Sequence, residues 1–183
     1  MTKFFVKVFR VIRNKKVMKY IPNSSKVLDV GCGRDFYLLD TMKKRIKYGV
    51  GVDMAVKNTK IDNITIKKIN VFDKLNFTSS SFDVATMIAF IEHIDKPEKI
   101  LRECNRVLNK GGIIIITTPM SRAKPFWELL VNLGFTEEKT TEDHKHYFSP
   151  AEIESLLKKT GFKVTTSKKF EFGMNYIAVG KKI

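Results

Sequence analysis

Short apolar runs alternate with amphipathic segments along the chain, in the pattern of an α/β protein. Runs rich in β-branched residues predict buried strands, whereas apolar residues that recur at helical spacing predict helices. Because strands buried on both faces need helical crossovers, the pattern predicts a doubly wound, mostly parallel sheet with helices on both faces. The strands predicted for it are Lys26 to Val30, Tyr48 to Val52, Ile64 to Ile69, Phe82 to Ile88 and Ile113 to Thr118.

The segments around these strands have helical patterns. Apolar residues on one face predict an amphipathic helix over Tyr37 to Lys47, and a proline in the first turn predicts another over Pro97 to Leu108. Residues 1–22 predict a basic amphipathic helix, with lysines and arginines around an apolar stripe. The stripe consists of Phe5, Val8, Phe9, Ile12 and Val17.

The C-terminal residues 149–183 break this alternation. Ser149 is followed three positions later by Glu152, a capping-box spacing that predicts a helix running to about Thr160. Two strand patterns follow, Phe162 to Phe170 and Phe172 to Val179, and they predict an antiparallel hairpin. With the five strands above, the expected sheet has seven strands.

The composition favours a single domain over residues 1–183, without repeats or linkers. Cys32 and Cys104 are far apart and lack the spacing of metal ligands, so we expect two reduced thiols, no metal and a cytoplasmic location. The net charge of +15 favours acidic partners, such as nucleic acid, phosphorylated small molecules or an anionic membrane surface, and the N-terminal helix is expected to contact an acidic surface. The other reading of this charge is a set of solvated lysines spread along the chain.

The stretch VLDVGCGRDFYLLD, residues 27–40, has the form of a nucleotide-binding turn between a strand and a helix. Gly31 and Gly33 fit a dinucleotide pattern, but Phe36 stands where that pattern needs a third glycine. Asp35 would lie near the helix N-terminus, where its carboxylate opposes a pyrophosphate. We expect Asp35 to cap this helix.

A cationic nucleoside without phosphate fits the same turn. S-adenosylmethionine is such a ligand: Asp29 can hold its ammonium, and Gly31 and Gly33 let the backbone approach its amino-acid part. Asp53 follows the next strand, where an acid can accept hydrogen bonds from both ribose hydroxyls.

Four motifs in order resemble those of class I S-adenosylmethionine-dependent methyltransferases, particularly the small group typified by ubiquinone and menaquinone biosynthesis enzymes. They are LDVGCG, GVDMA, SSSFDVATMIAFIEHIDKP and LRECNRVLNKGGIIIITTP, and they cover residues 26–119. The resemblance implies a Rossmann-like methyltransferase fold, with residues 26–119 as the cofactor-binding core. It also implies that S-adenosylmethionine is the cofactor and S-adenosylhomocysteine the product.

The resemblance assigns roles to individual residues. Met54 matches the residue that packs on the adenine, and Asn70, with Val71, stands where the family has an aspartate for the adenine amino group. Ile88 and Ala89 match the lining of the methionine tail. The implied cofactor set is Asp29, Gly31, Cys32, Gly33, Asp53, Met54, Asn70, Val71, Ile88 and Ala89.

The acceptor is expected beyond the fourth predicted strand and in the insertion 120–148. His93 is a candidate general base, since imidazole titrates near neutral pH, and a structural hydrogen-bonding role is the alternative. The other substrate-side candidates are Glu92, Trp127, His144, His146 and Tyr147.

The expected reaction is direct in-line transfer of a methyl group to an O, N or C nucleophile of a small-molecule or lipid acceptor. An RNA or protein methyltransferase is the alternative that the charge favours, although no nucleic-acid module is present. A non-catalytic binder of S-adenosylmethionine and a dinucleotide oxidoreductase are the remaining alternatives.

Overall fold

Eight strands form one mixed sheet in the computed structural model, which describes residues 3–71, 74–121, 123, 125 and 146–183, with side chains from residue 7 onward. Counted over these residues, the strands are β1 Lys26–Val30, β2 Tyr48–Asp53, β3 Thr59–Ile61, β4 Ile64–Lys68, β5 Phe82–Ile88, β6 Leu108–Pro119, β7 Phe162–Phe170 and β8 Asn175–Lys182. The helices are α1 Lys3–Met18, α2 Tyr37–Met42, α3 Pro97–Val107 and α4 Pro150–Lys159, and a single 3₁₀ turn covers Ile91–His93.

The strand order is β3-β4-β2-β1-β5-β6-β8-β7. The five strands β4, β2, β1, β5 and β6 are parallel, and β8 and β7 add the antiparallel hairpin at one edge. The predicted doubly wound sheet with its C-terminal hairpin is therefore confirmed. The eighth strand is β3, a short exposed edge strand that runs antiparallel to β4 and lacks the buried apolar run on which the prediction depended.

The sheet separates two hydrophobic clusters. One contains Leu28, Val30 and residues of α3 and α4, and the other contains Val27 and residues of α1 and α2. Successive side chains of a strand point to opposite faces, which places Asp29 on the same face as Val27, toward α1 and α2.

The predicted capping box of α4 is confirmed. The Ser149 hydroxyl accepts a hydrogen bond from the Glu152 amide at 3.3 Å, and the Glu152 carboxylate accepts one from the Ser149 amide at 2.7 Å. A polar cap at both positions satisfies amides that the first helical turn leaves without partners.

The prediction that Asp35 caps α2 is wrong. The N-cap residue is Phe36, in the left-handed conformation at φ 32°, and no side chain caps the helix. Asp35 instead forms an ion pair with Arg10 of α1, whose guanidinium also lies 4.9 Å from the centre of the Tyr37 ring. Asp35 thus binds a residue from outside the turn and does not cap the helix. Helix α2 ends at Met42, before the predicted Lys47.

The inner face of α1 also differs from the apolar stripe in the sequence. Val8 and Ile12 are 36% and 44% exposed, whereas Asn14 and Val17 are buried. Residues 10, 13, 14 and 17 share one helical face, so Arg10, Arg13 and Asn14 point inward with Val17. The hydrophobic pattern alone does not predict this orientation, because two inward residues are arginines.

Candidate functional site

A cavity of about 240 Å³ opens at the carboxyl ends of β1 and β5. Between these two strands the order in which successive strands are added to the sheet reverses direction. Ligands of open α/β sheets bind at this kind of switch point. The glycine turn, the end of β5 and the inner face of α1 line the cavity, through Arg10, Arg13, Asn14, Asp29, Gly31, Cys32, Gly33, Asp35, Tyr37, Leu38, Ile88 and Ala89. Six of the ten predicted cofactor residues therefore lie together.

The glycine turn needs its first glycine for two reasons. Gly31 has φ +75°, a conformation that other residues adopt only with strain. A β-carbon at Gly31 would also lie 2.2 Å from Cδ2 of Phe90, because the phenyl ring covers this position. Only glycine therefore fits at position 31 without displacing the ring of Phe90.

Asp53 joins the glycine turn to the end of β2. Its Oδ2 accepts a hydrogen bond from the Gly33 amide at 2.9 Å, and its Oδ1 accepts one from the Ala55 amide at 2.8 Å. Each carboxylate oxygen has capacity for a second donor, so a diol can bond to the same side chain. The next residue, Met54, is 47% exposed.

Asp29 places a carboxyl group at the bottom of the cavity. It is 3% exposed, and its Oδ1 accepts a hydrogen bond from the Thr86 hydroxyl at 2.6 Å. Burial raises the pKa of Asp29 to about 7, against the Thr86 hydrogen bond, which lowers it. A cation in the cavity would favour the ionised form of this group.

Two arginines of α1 supply the positive charge of the cavity, and the sequence analysis missed both. Arg10 is paired with Asp35, whereas the guanidinium of Arg13 is enclosed although the residue as a whole is half-buried. Burial lowers the pKa of Arg13, and the charges of Glu92 and Glu171 raise it. The available signal was the helical spacing of Arg10, Arg13, Asn14 and Val17, which puts them on one face.

The other predicted cofactor residues occupy different surroundings. Ile88 and Ala89 end β5, and the Ala89 amide donates to the Thr117 carbonyl at 2.9 Å. Cys32 packs against Gly51 of β2, and burial raises the pKa of its thiol. Asn70 is exposed and Val71 is buried, two and three residues beyond the end of β4. The cofactor roles of all ten residues stay predictions.

The substrate-side candidates follow β5. Glu92 is fully buried, His93 beside it is half-buried, and the Glu92 carbonyl accepts a hydrogen bond from the His146 amide at 3.2 Å. The imidazole of His146 is exposed and Tyr147 is half-buried. This contact brings the end of the predicted insertion to the 3₁₀ turn, whereas Trp127 and His144 lie outside the described residues.

A larger groove, of about 620 Å³, lies on the β2–β4 side of the sheet beside Tyr48, Lys67 and Phe77. Lys67 lies 5.2 Å from the centre of the Phe77 ring, and the groove holds none of the predicted site residues. Within the described part of the chain, neither a group of three or more potential metal ligands nor a helix with the length and apolarity to cross a membrane is found.

The sequence was compared with protein families and with known proteins. A family model described as a methyltransferase domain matches residues 7–167. The ubiquinone biosynthesis O-methyltransferase of Neisseria meningitidis serogroup C is 27% identical over 164 residues, which are 82% of this chain and 67% of that protein. The enzyme of the same name from Psychrobacter arcticus is 26% identical over 151 residues, which are 75% of this chain and 58% of that protein.

These proportions mean that the chain spans about two thirds or less of the length of the two curated relatives. Among solved structures, a SAM-dependent methyltransferase from Aquifex aeolicus superposes with a TM-score of 0.68. The match covers 93% of this chain and 89% of that one, at 18% identity. At this level of identity the structural likeness establishes the fold.

Proposed function

This chain belongs to the methyltransferase domain family, and we propose that it transfers a methyl group from S-adenosylmethionine to a small-molecule acceptor. The family match confirms the methyltransferase resemblance of the four sequence motifs, and the structural neighbours confirm the Rossmann-like fold. The observation that carries the proposal is a single cavity in which Asp29 of β1 lies with Arg10 and Arg13 of α1, beside the glycine turn that is hydrogen-bonded to an acid at the end of β2.

The residues of the cavity fit S-adenosylmethionine. In this proposal Asp29 of the cavity binds the ammonium, and Asp53, which accepts hydrogen bonds from two backbone amides beside the cavity, binds the ribose hydroxyls. Gly31 and Gly33, which both line the cavity, are proposed to let the backbone approach the amino-acid part of the cofactor. Met54, Asn70 and Val71 remain the proposed adenine contacts.

Arg13 completes this set, because a zwitterionic amino acid needs a cation as well as an anion. Arg10 is already paired with Asp35, which makes Arg13 the better candidate for the carboxylate of the cofactor. A guanidinium binds a carboxylate through two parallel hydrogen bonds, which fixes orientation as well as affinity.

The chemistry that the cofactor supplies is an electrophilic methyl group, whose bonding electron pair stays on sulfur when the methyl leaves. The protein then has to orient the acceptor and remove its proton. His93, beside the end of β5, is the proposed base for a hydroxyl acceptor, and Glu92, His146 and Tyr147 are proposed to lie on the acceptor side.

The sequence leaves O, N and C nucleophiles open as methyl acceptors, and we favour an oxygen nucleophile. The two relatives described above are named as O-methyltransferases, which supports this order. A lipid acceptor and a contact of α1 with an acidic surface stay predictions. The buried free thiols of Cys32 and Cys104 support the proposed reducing location, the cytoplasm.

Calorimetric titration with S-adenosylhomocysteine and with NAD tests the proposal. We expect S-adenosylhomocysteine to bind, and Asp53→Ala to weaken binding by about tenfold to a hundredfold, since hydrogen bonds to a charged group are lost. The matched control is Asp62→Ala, an exposed acid in the turn between β3 and β4. Binding of NAD without binding of S-adenosylhomocysteine would contradict the proposal.

Transfer itself is measured by incubating the protein with S-adenosylmethionine and a panel of phenols, amines and RNA. The expected product is a small molecule heavier by one methyl group. Methylation of RNA alone would replace the small-molecule proposal, and binding without transfer to any acceptor would indicate a non-catalytic binder. RNA binding that weakens steeply with salt would favour an RNA methyltransferase.

A further inference from the structure

The turn between β7 and β8 exposes a phenylalanine. Phe172 is 102% exposed, and its φ of 55° is a left-handed conformation that bulky residues adopt only at a cost. Glu171 before it has φ 51°, and the Gly173 amide closes this turn by donating to the Phe170 carbonyl at 3.1 Å. Turns of this geometry favour asparagine and glycine. Burial within the fold therefore does not explain why a phenyl group stands at position 172.

This turn lies at the edge of the sheet where the cofactor cavity opens. Asn175, just after the turn, pairs with Pro119 at the carboxyl end of β6. Burial lowers the pKa of Arg13, and the charge of Glu171 opposes this effect, so the turn also lies near α1. Because Arg13 lines the cavity, Phe172 stands near the cavity mouth.

The outer face of α1 presents two more exposed apolar side chains. Val8 and Ile12 are 36% and 44% exposed, and the exposed Lys15 and Lys19 continue the same face at helical spacing. This face is opposite the side of α1 that lines the cavity. The sequence of α1 contains no acidic residue. The outer face of this helix is therefore both apolar and cationic.

An anionic lipid bilayer matches the chemistry of these two surfaces. Lys168 and Lys169, exposed near the end of β7, add positive charge beside Phe172, as the lysines of α1 do beside Val8 and Ile12. Basic side chains gain from the negative surface of such a bilayer, and apolar side chains gain from burial at the boundary of its hydrocarbon. A nucleic acid also attracts lysines, but its phosphates offer no contact to valine or isoleucine. The apolar component therefore favours lipid over nucleic acid.

We propose that these residues form a docking face for an anionic membrane. The docking face consists of Phe172, Lys168 and Lys169 at the turn and of Val8, Ile12, Lys15 and Lys19 on the N-terminal helix. Phe172 enters the boundary between headgroups and acyl chains, while the lysines contact the headgroups. Docking brings the mouth of the cofactor cavity next to the bilayer. In a step that rests on the proposed function, an acceptor dissolved in the membrane then reaches the cavity without crossing water.

Co-sedimentation of the protein with lipid vesicles tests the docking face. One set of vesicles is phosphatidylcholine, and the other is an equimolar mixture of phosphatidylcholine and phosphatidylglycerol. We expect binding to the mixed vesicles to be at least about tenfold tighter, since several lysines face the headgroups. Phe172→Asn should weaken binding to the mixed vesicles about tenfold, as expected from losing the burial of about half a phenyl side chain. Asparagine suits a left-handed turn residue, so urea unfolding should find this variant at least as stable as the wild type.

Matched controls separate the docking face from the rest of the surface. Ile61→Asn removes an apolar side chain that is 40% exposed beside the start of β4, at the opposite edge of the sheet, and should leave vesicle binding unchanged. Lys15→Gln combined with Lys19→Gln should weaken binding to the mixed vesicles about tenfold or more. Lys163→Gln combined with Lys181→Gln removes the same charge from an exposed cross-strand pair far from the turn, and should have little effect.

Tryptophan fluorescence reports whether position 172 enters the lipid. Phe172→Trp is expected to show a blue shift with mixed vesicles and quenching by brominated phosphatidylcholine, beyond the signal that Trp127 gives in the wild type. Ile61→Trp has the same background and should show neither change. Insertion of the turn is thereby measured apart from the overall affinity.

Several results would overturn the docking face. One is equal binding, or no binding, to the two kinds of vesicle, and another is an equal loss of affinity in Phe172→Asn and Ile61→Asn. Binding that depends on the lysines alone, without quenching at position 172, would indicate electrostatic adsorption and no docking by the turn. Binding of single-stranded RNA in place of vesicles would identify a nucleic-acid surface.

The proposed function and the docking face fail in different ways. Vesicle binding needs no cofactor, so failure of S-adenosylhomocysteine to bind contradicts the proposed function and leaves the vesicle comparison intact. Binding of S-adenosylhomocysteine without binding to mixed vesicles overturns the docking face and leaves the proposed function standing.

Discussion

Replacing Asp29 by asparagine should change how the stability of the protein depends on pH. The Asp29 carboxyl group is 3% exposed, and burial raises its pKa to about 7 from an ordinary value of 3.8. The folded protein therefore holds a proton on Asp29 over a range of pH in which the unfolded chain has lost it. Asparagine keeps the size of the side chain and cannot titrate.

The sign and the size of the effect follow from this shift. Between about pH 4 and pH 7 the folded state binds more protons than the unfolded state, so the free energy of unfolding falls as pH rises. The stabilisation that Asp29 contributes through its bound proton is fully present below the pKa of Asp29 in the unfolded chain. It is lost as pH rises through the pKa of Asp29 in the folded protein. A shift of about three units corresponds to about 4 kcal/mol, of which roughly 2 to 3 kcal/mol falls between about pH 5 and pH 8.

Urea unfolding of the wild type and of Asp29→Asn across this pH range measures the effect. The free energy of unfolding of the wild type, minus that of the variant, is expected to fall by roughly 2 to 3 kcal/mol from about pH 5 to pH 8. Asp62→Asn is the control, an exposed carboxylate that should leave the slope of the wild type. A difference between wild type and Asp29→Asn that stays constant with pH would refute the reasoning.

Three further predictions depend on other contacts. Since the ammonium of a bound cofactor favours ionised Asp29, the affinity for S-adenosylhomocysteine should rise by up to about tenfold per pH unit below pH 7 and then level off, as calorimetry can show. Gly31→Ala should abolish this binding, because its β-carbon would lie 2.2 Å from Phe90, whereas the double variant with Phe90→Ala should recover part of it. Ser149→Ala should lower the free energy of unfolding by about 1 kcal/mol in urea, since the capping box of α4 is lost.

The parts of the fold that depend on local signals were predictable. β1 and β5 have the predicted bounds, because each is a continuous apolar run between polar turns. The start of α4 was predictable for the same reason, since Ser149 and Glu152 satisfy each other within one helical turn. Likewise, Asp29 and Asp53 lie at strand ends, and parallel strands bring their carboxyl ends to one edge of the sheet.

The contacts of α1 were not predictable, because they join residues far apart in the chain. Arg10 meets Asp35, and the charges of Glu92 and Glu171 act on Arg13. In the sequence these arginines are two of many basic residues, and the apolar stripe favours a different face of the helix. Only the packing of α1 over the glycine turn shows that these two arginines face the site, whereas other basic residues of the chain face solvent.

Phe36 takes the left-handed conformation at the position of the missing third glycine, and α1 contacts the neighbouring residue of the turn. Besides the two glycines, Phe36 is the residue of the turn with a positive φ, and Asp35 before it forms an ion pair with Arg10. Asp35 of the turn and Asp29 of β1 then line the same cavity as Arg10 and Arg13 of α1. A phosphate would meet acids on the side of the turn, whereas a ligand that carries both an ammonium and a carboxylate finds an opposite charge at each end. The substitution that argued against a dinucleotide in the sequence is therefore the same one that ties α1 to the site.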